Sequence, residues 1–475
     1  MNASLKLNKD LLRGILPIVL TAIAVAFIFY KGEILVPIAG IALSFGLLAA
    51  LAIVRDIKWG FYFLLFASFV SVGLTRYAPL PLGLLIDVIL ALIFLIYFLR
   101  EFKEINWGML KNPAFMAVLA WMVINCMEIV NPESHSFEAW FYAMRGVSLY
   151  LFLTMLIGFL CLSFKKDFNW FINIWFICSI IGTFWGIKQL YIGLDSGEKA
   201  WLAEPGNLTT HMLFGRLRVF SFYSDAGQFG ASQAHTALVA FILAVKERAK
   251  LRKTFYFTTA IICLYGMLIS GTRGAIAIPV IGFMSYFILI RNFKIIVIGL
   301  ILFIGAFCLL KFTHVGQGIY QINRFRTALN PNDASLQVRL ENQKKLREYL
   351  NHHIMGGGIG SAGYWGQRFS PNTFLANLAL DSWYVRIAAE FGYIGLLIYI
   401  IILIIVVLKC WKTIRECEDP DDRNRLIALF CGLSGILVAS YTNQVFGQIP
   451  TATLVYISIV FLTKPDTTKT HEQLT

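Results

Sequence analysis

Apolar residues in this chain neither alternate nor recur at every third or fourth position. They run in nearly charge-free blocks, many long enough for a helix to cross about 30 Å of hydrocarbon. The blocks fall at 14–30, 34–54, 60–75, 81–99, 113–129, 145–163, 169–190, 228–245, 254–270, 274–290, 295–311, 383–408, 426–442 and 449–463. A stretch such as YIGLLIYIIILIIVVL cannot be a barrel strand, which would alternate lipid-facing and lumen-facing positions. The pattern predicts an all-α, polytopic integral membrane protein with twelve to fourteen transmembrane helices, the range reflecting short third, fifth and last blocks. The first block has no small-residue cleavage site after it and reads as a retained span.

Polar material between the blocks is uneven. Two long segments, 191–227 and 312–382, stand out, with a shorter one at 130–142. Within the longest, SLQVRLENQKKLREYL followed by GGGIG predicts a helix over 335–350, capped at its start by Asp333 or Ser335 and ended by the glycines. Leu336, Leu340, Leu346 and Leu350 share one arc of that helix, and Arg339 and Arg347 fall in the same arc. The chain divides into amino-terminal helices and a first polar loop (1–209), a core with the long loop 312–382 (210–405), and carboxy-terminal helices with a tail (406–475).

Composition agrees. Of 475 residues, 58% are hydrophobic and 14% charged, against about 25% charged in soluble domains. Mean hydropathy is +0.70. The net charge of +14 sits in connections between blocks and forms no compact tract, so it reports orientation, not nucleic-acid binding. Short connections place Lys and Arg on one side, with Lys31, Arg76, Arg145 and Arg273 the exceptions. Both termini are then cytoplasmic and the long loops lie outside. The eight cysteines stand singly in or beside apolar blocks and read as small buried hydrophobes.

That topology brings Arg216, Arg218, Arg273, Arg339 and Asp381 to one side of the membrane. Guanidinium groups from separate segments suit a diphosphate, and a nearby carboxylate suits proton removal from a hydroxyl or, more simply, a cap on the span at 383. Arg386 and Glu390, four apart inside a span, read as an ion pair. No Walker loop, Rossmann glycine run, H-E-x-x-H or outer D-x-D is present, so no metal and no cofactor are expected.

The segments GRLRVFSFYSDAGQFGAS, LISGTRGAIAIPVIGF, SLQVRLENQKKLREYLNHHIMGGGIGSAG and LDSWYVRIAAEFGYIGLLIYI, in that order over residues 210–405, resemble the O-antigen ligase and polymerase superfamily of bacterial envelope glycosyltransferases. The resemblance implies transfer or polymerisation of a glycan from a polyprenyl-diphosphate-linked donor onto a glycan, lipid or protein acceptor. The setting is the periplasmic face of the inner membrane, in cell-envelope polysaccharide biosynthesis. It assigns Arg218 and Arg273 to the diphosphate and Asp381 to the acceptor hydroxyl, with Arg216, Arg339, Arg347 and Tyr384 as substrate contacts. Members that load a lipid A core usually carry His-Asn where this chain has Asp381-Ser382, and an Asp there is more similar to the polymerase side and the looser ligase-like relatives. A transporter or flippase of lipid-linked oligosaccharide is the alternative, but it calls for repeat symmetry that the chain does not display.

Overall fold

The computed structural model describes residues 46–77, 83–101, 107–204, 206–213, 215–290 and 334–464, with scattered positions from 297 to 326. The expected spans 14–30 and 295–311, most of 34–54, and the proposed cap Asp333 lie wholly or largely outside these residues.

The chain forms two compact units. The smaller one holds α1 (Gly46–Arg55) and the adjoining parts of α2 (Lys58–Leu74) and α3 (Leu84–Glu101). The larger one holds α4 (Pro113–Met127), α5 (Phe137–Cys161), α6 (Phe164–Tyr191), α7 (Ala226–Lys246), α8 (Lys250–Ser270), α9 (Ala277–Ile290), α10 (Ala334–Leu350), α11 (Trp383–Glu416), α12 (Pro420–Ala439) and α13 (Thr451–Thr463). Among the described residues seven helices are long and apolar enough to cross a membrane, and four shorter apolar helices accompany them. The only strands among these residues, β1 (Met212–Leu213) and β2 (Arg216–Leu217), make one antiparallel hairpin. The protein is an all-α, multi-pass membrane protein.

α7 is the axis of the larger unit. Nearly all its side chains are buried, and α6, α8, α9 and α12 pack around it. Small residues permit that crowding: a Cβ on Gly230 would strike Ser270 Oγ, and one on Gly432 of α12 would strike the His235 imidazole. Asp225 caps α7, accepting a hydrogen bond from Gln228 N at 2.9 Å.

Several boundaries differ from the apolar blocks. α5 begins at Phe137, inside the expected polar segment 130–142, because Ser136 caps it and Glu138 in its first turn opposes no helix dipole. It passes through a π-helical turn at Arg145–Leu149, so Arg145 lies within a helix and not in a connection. α11 runs on to Glu416 through Lys409, Lys412 and Arg415, charges that the block reading took as punctuation. α13 has 13 residues, about 20 Å long. Every one is buried, so it is covered by protein and not by lipid.

α10 matches the expected loop helix within a residue. Its four leucines split, however. Leu346 and Leu350 are buried against Leu375, Leu378, Leu380, Ala388 and Ala389, whereas Leu336 and Leu340 stay exposed. The glycine run after α10 is a clamp: Gly357 N and Gly358 N donate to Ala389 O and Glu390 O of α11, each at 2.9 Å. α11 can offer those carbonyls because its helix is interrupted at Gly392, which has φ +71° and whose Cβ, if present, would strike Ile354 O. All eight cysteines are free thiols.

Candidate active site

Where α7 and α11 begin and α8 and α12 end, the larger unit encloses a cavity of about 1070 Å³. Among the described residues six arginines line it, Arg145, Arg218, Arg273, Arg324, Arg339 and Arg386, against two carboxylates, Asp225 and Asp381. Each arginine comes from a different segment, so the fold, not a local motif, concentrates the charge.

Arg218 follows the β1–β2 hairpin. Its backbone N–H donates to His211 O at 2.8 Å, Nη1 to Thr210 O at 3.1 Å and Nη2 to Thr272 Oγ1 at 3.2 Å. Thr272 in turn donates to Ala226 O at 2.7 Å, tying the first turn of α7 to the residue before Arg273. Arg218 thus bonds to the threonine that immediately precedes Arg273, and both arginines line the cavity. α8 ends at Gly271 in the left-handed conformation, and the chain turns at once into a 3-10 helix starting at Arg273. Arg324 Nε donates to Gly271 O at 3.0 Å.

Across the cavity, Arg339 of α10 meets Asp381, Nε to Oδ2 at 2.8 Å, with 34% and 53% of the two side chains exposed. Asp381 does not cap α11; Ser382 does, accepting from Val385 N. Arg386 is fixed by Glu390 at 3.0 Å and by Gln444 Oε1 at 3.3 Å. Arg145, at the π-helical turn, pairs with Asp87 at 2.6 Å and lies over the Tyr142 ring.

The approach to α7 is held from behind by Arg76. Its guanidinium lies against both the Trp201 and Phe220 rings, 4.4 and 4.5 Å from their centroids, and donates to Ser221 O and Tyr223 O. Burial lowers its pKa to about 10, which leaves it charged at neutral pH. His211 is buried beside these rings. Its Nδ1 is 2.9 Å from Asn207 O, its Nε2 accepts from Ala226 N at 3.4 Å, and burial lowers its pKa. It does not line the cavity and serves to join the hairpin to α7.

The structure therefore brings together Arg218, Arg273, Arg339 and Asp381, and leaves out three expected substrate contacts. Arg216 is exposed on β2. Arg347 is exposed two turns beyond Arg339, about 12 Å further along α10. Tyr384 turns away from the cavity, its hydroxyl donating to Leu437 O of α12 at 2.7 Å. Trp383 and Arg386, three apart, share the cavity face of α11, and Tyr384 is rotated from it by about 100°.

Sequence reasoning passed over the segment between α12 and α13. Asn443, Gln444 and Gln448 line the cavity, and Gln444 Nε2 also donates to Leu380 O beside Asp381. Gln228 of α7 donates to Gln444 O at 3.1 Å and accepts from Thr451 at 3.0 Å. The available signal was three side-chain amides within six residues of a short connection between two apolar blocks.

Fold and cavity define a multi-pass membrane protein with a cationic chamber at its helix ends, suited to an anionic, phosphorylated ligand. Residues 258–400, a little under a third of the chain, match the family described as O-antigen ligase. The matched stretch carries Arg273, Arg324, Arg339, Asp381 and Arg386; Arg218 precedes it. No curated protein matches the chain.

Proposed function

We propose that the protein is an inner-membrane glycosyltransferase of the ligase or polymerase kind. It moves a glycan from a polyprenyl-diphosphate donor to an acceptor hydroxyl at the periplasmic face, with inversion and without a metal ion. The observation that carries this reading is the meeting of Arg218, Arg273 and Arg339 with Asp381 in one cavity, part of whose wall comes from the family-matched stretch. Both termini are then cytoplasmic, as the loop charges indicate.

In this reading Arg218 and Arg273 both grip the diphosphate. The acceptor oxygen attacks the anomeric carbon opposite the diphosphate, and the carbon–oxygen bond to the diphosphate breaks. The bonding electrons leave with the diphosphate, whose growing charge the arginines stabilise where a divalent cation would otherwise be needed. The acceptor proton passes to Asp381. An incoming diphosphate competes with Asp381 for Arg339, so donor binding frees the carboxylate to take that proton.

Purified protein supplied with a lipid-diphosphate glycan and candidate acceptors tests this. Arg218→Ala and Arg273→Ala should each abolish transfer and weaken pyrophosphate binding while membrane abundance holds. Undiminished transfer by either variant would remove the shared diphosphate site.

A further inference from the structure

An apolar groove of about 560 Å³ lies between α11 and α12. Its α11 wall is a stripe from Leu396 through Ile400, Leu403 and Val407 to Leu408, about 18 Å of helix. Leu437 of α12 and Tyr441, just beyond its end, face it, and among the described residues the phenols of Tyr384 and Tyr441 are the polar side-chain groups of its wall. Any groove in a membrane protein can hold bilayer lipid, but this one leads somewhere. Tyr441 also lines a narrow space of about 90 Å³ under α10, and that space shares Arg339, Leu380 and Asp381 with the cationic cavity. Hydrocarbon wall, neck and arginine chamber thus form one series. Its ion pair, Arg339–Asp381, stands at the neck.

We infer that the groove between α11 and α12 seats the polyprenyl chain of the donor, whose diphosphate end passes the Arg339–Asp381 pair into the cavity. The inference rests on the glycosyl-transfer reading above and adds where the chain lies. Its ground is complementarity in sequence: an amphiphile with a long hydrocarbon chain joined directly to a dianionic head matches wall, neck and chamber in that order. An anionic bilayer phospholipid carries one charge per phosphate beneath two or more acyl chains, so it matches that series less fully than one chain on a dianionic diphosphate. The series also gives Tyr384 a role, as a wall of the chain groove and not as a contact to glycan or phosphate.

Three probes test the inference on the full chain in nanodiscs: inorganic pyrophosphate, dimethylallyl diphosphate and a long-chain polyprenyl diphosphate bearing a diazirine in its tail. The long-chain probe should bind at least about tenfold more tightly than dimethylallyl diphosphate, since each buried methylene adds to affinity. On illumination it should cross-link to residues 396–408 or to Leu437. Filling the groove with Leu403→Trp and Leu437→Trp should erase the chain-length preference and leave pyrophosphate binding unchanged, which also reports that the variant is folded. Cross-links elsewhere on the unsubstituted protein, with chain preference intact in the filled variant, would overturn the inference and leave the groove to bilayer lipid. Failure of pyrophosphate to bind the unsubstituted protein would instead overturn the diphosphate reading, and the groove assignment with it.

Discussion

Asp381 is an ionic partner before it is anything else. It pairs with Arg339 at 2.8 Å, and it is exposed enough for an incoming hydroxyl to reach. If it takes the acceptor proton, Asp381→Asn should bind donor normally and lose at least about a hundredfold in transfer rate. A rate within about threefold of the parent, measured in the purified assay, would restrict Asp381 to holding Arg339 and turn attention to Asp225, the other carboxylate of the cavity wall. At this scale the sequence was legible wherever a charge stood alone in a polar loop or at the start of a span. Arg218, Arg273, Arg339 and Asp381 could be picked out for that reason. Arg145 and Arg386 could not be assigned to the cavity, because a charge inside an apolar helix looks the same whether it faces a chamber or a partner, and both do both. Gln444 and Gln448 were invisible for a different reason: neutral amides carry no sign to count.

Among the elements, α10 decides whether Arg339 reaches the cavity. Its docking depends on Leu346 and Leu350, buried to 4% and 2% exposure. Leu350→Ala should cost about 2–5 kcal/mol of local stability. The expected result is faster hydrogen exchange across 334–350 and weaker transfer, with protection of α11 unchanged. Unaltered exchange in 334–350 would mean that the glycine clamp alone holds the helix. Periodicity found this element and its packing leucines, but placed Leu336 and Leu340 with them, since an arc on a helical wheel does not say how far along the helix the partner surface extends. Tyr384 shows the same limit in reverse: three residues from Asp381 in sequence, it faces the groove because one step along α11 is a large rotation. The capping of α5 by Ser136 was readable in principle, yet Glu138 and Arg145 made the first turns look like loop.

At the scale of the molecule, the described cavity wall carries six arginines against two aspartates, a formal excess of four positive charges among these residues. Pyrophosphate affinity should therefore fall several-fold as salt rises from roughly 0.05 to 0.5 M, because screening shortens from more than about 10 Å to less than about 8 Å over that range. Calorimetric titration in nanodiscs would show it. Salt-independent binding would assign recognition to the amides of Gln228, Asn443 and Gln444, against the electrostatic account.

That chamber is also late to exist. Its wall draws on residues from Gly83 to Ile449, and its floor depends on α13: Thr451 donates to Gln228, Asn112 donates to Thr463 O, and Gly158 of α5 leaves room for Val460. The helices that precede α13 in the chain lack these partners until it packs among them, so the chamber takes its final form only when α13 is in place.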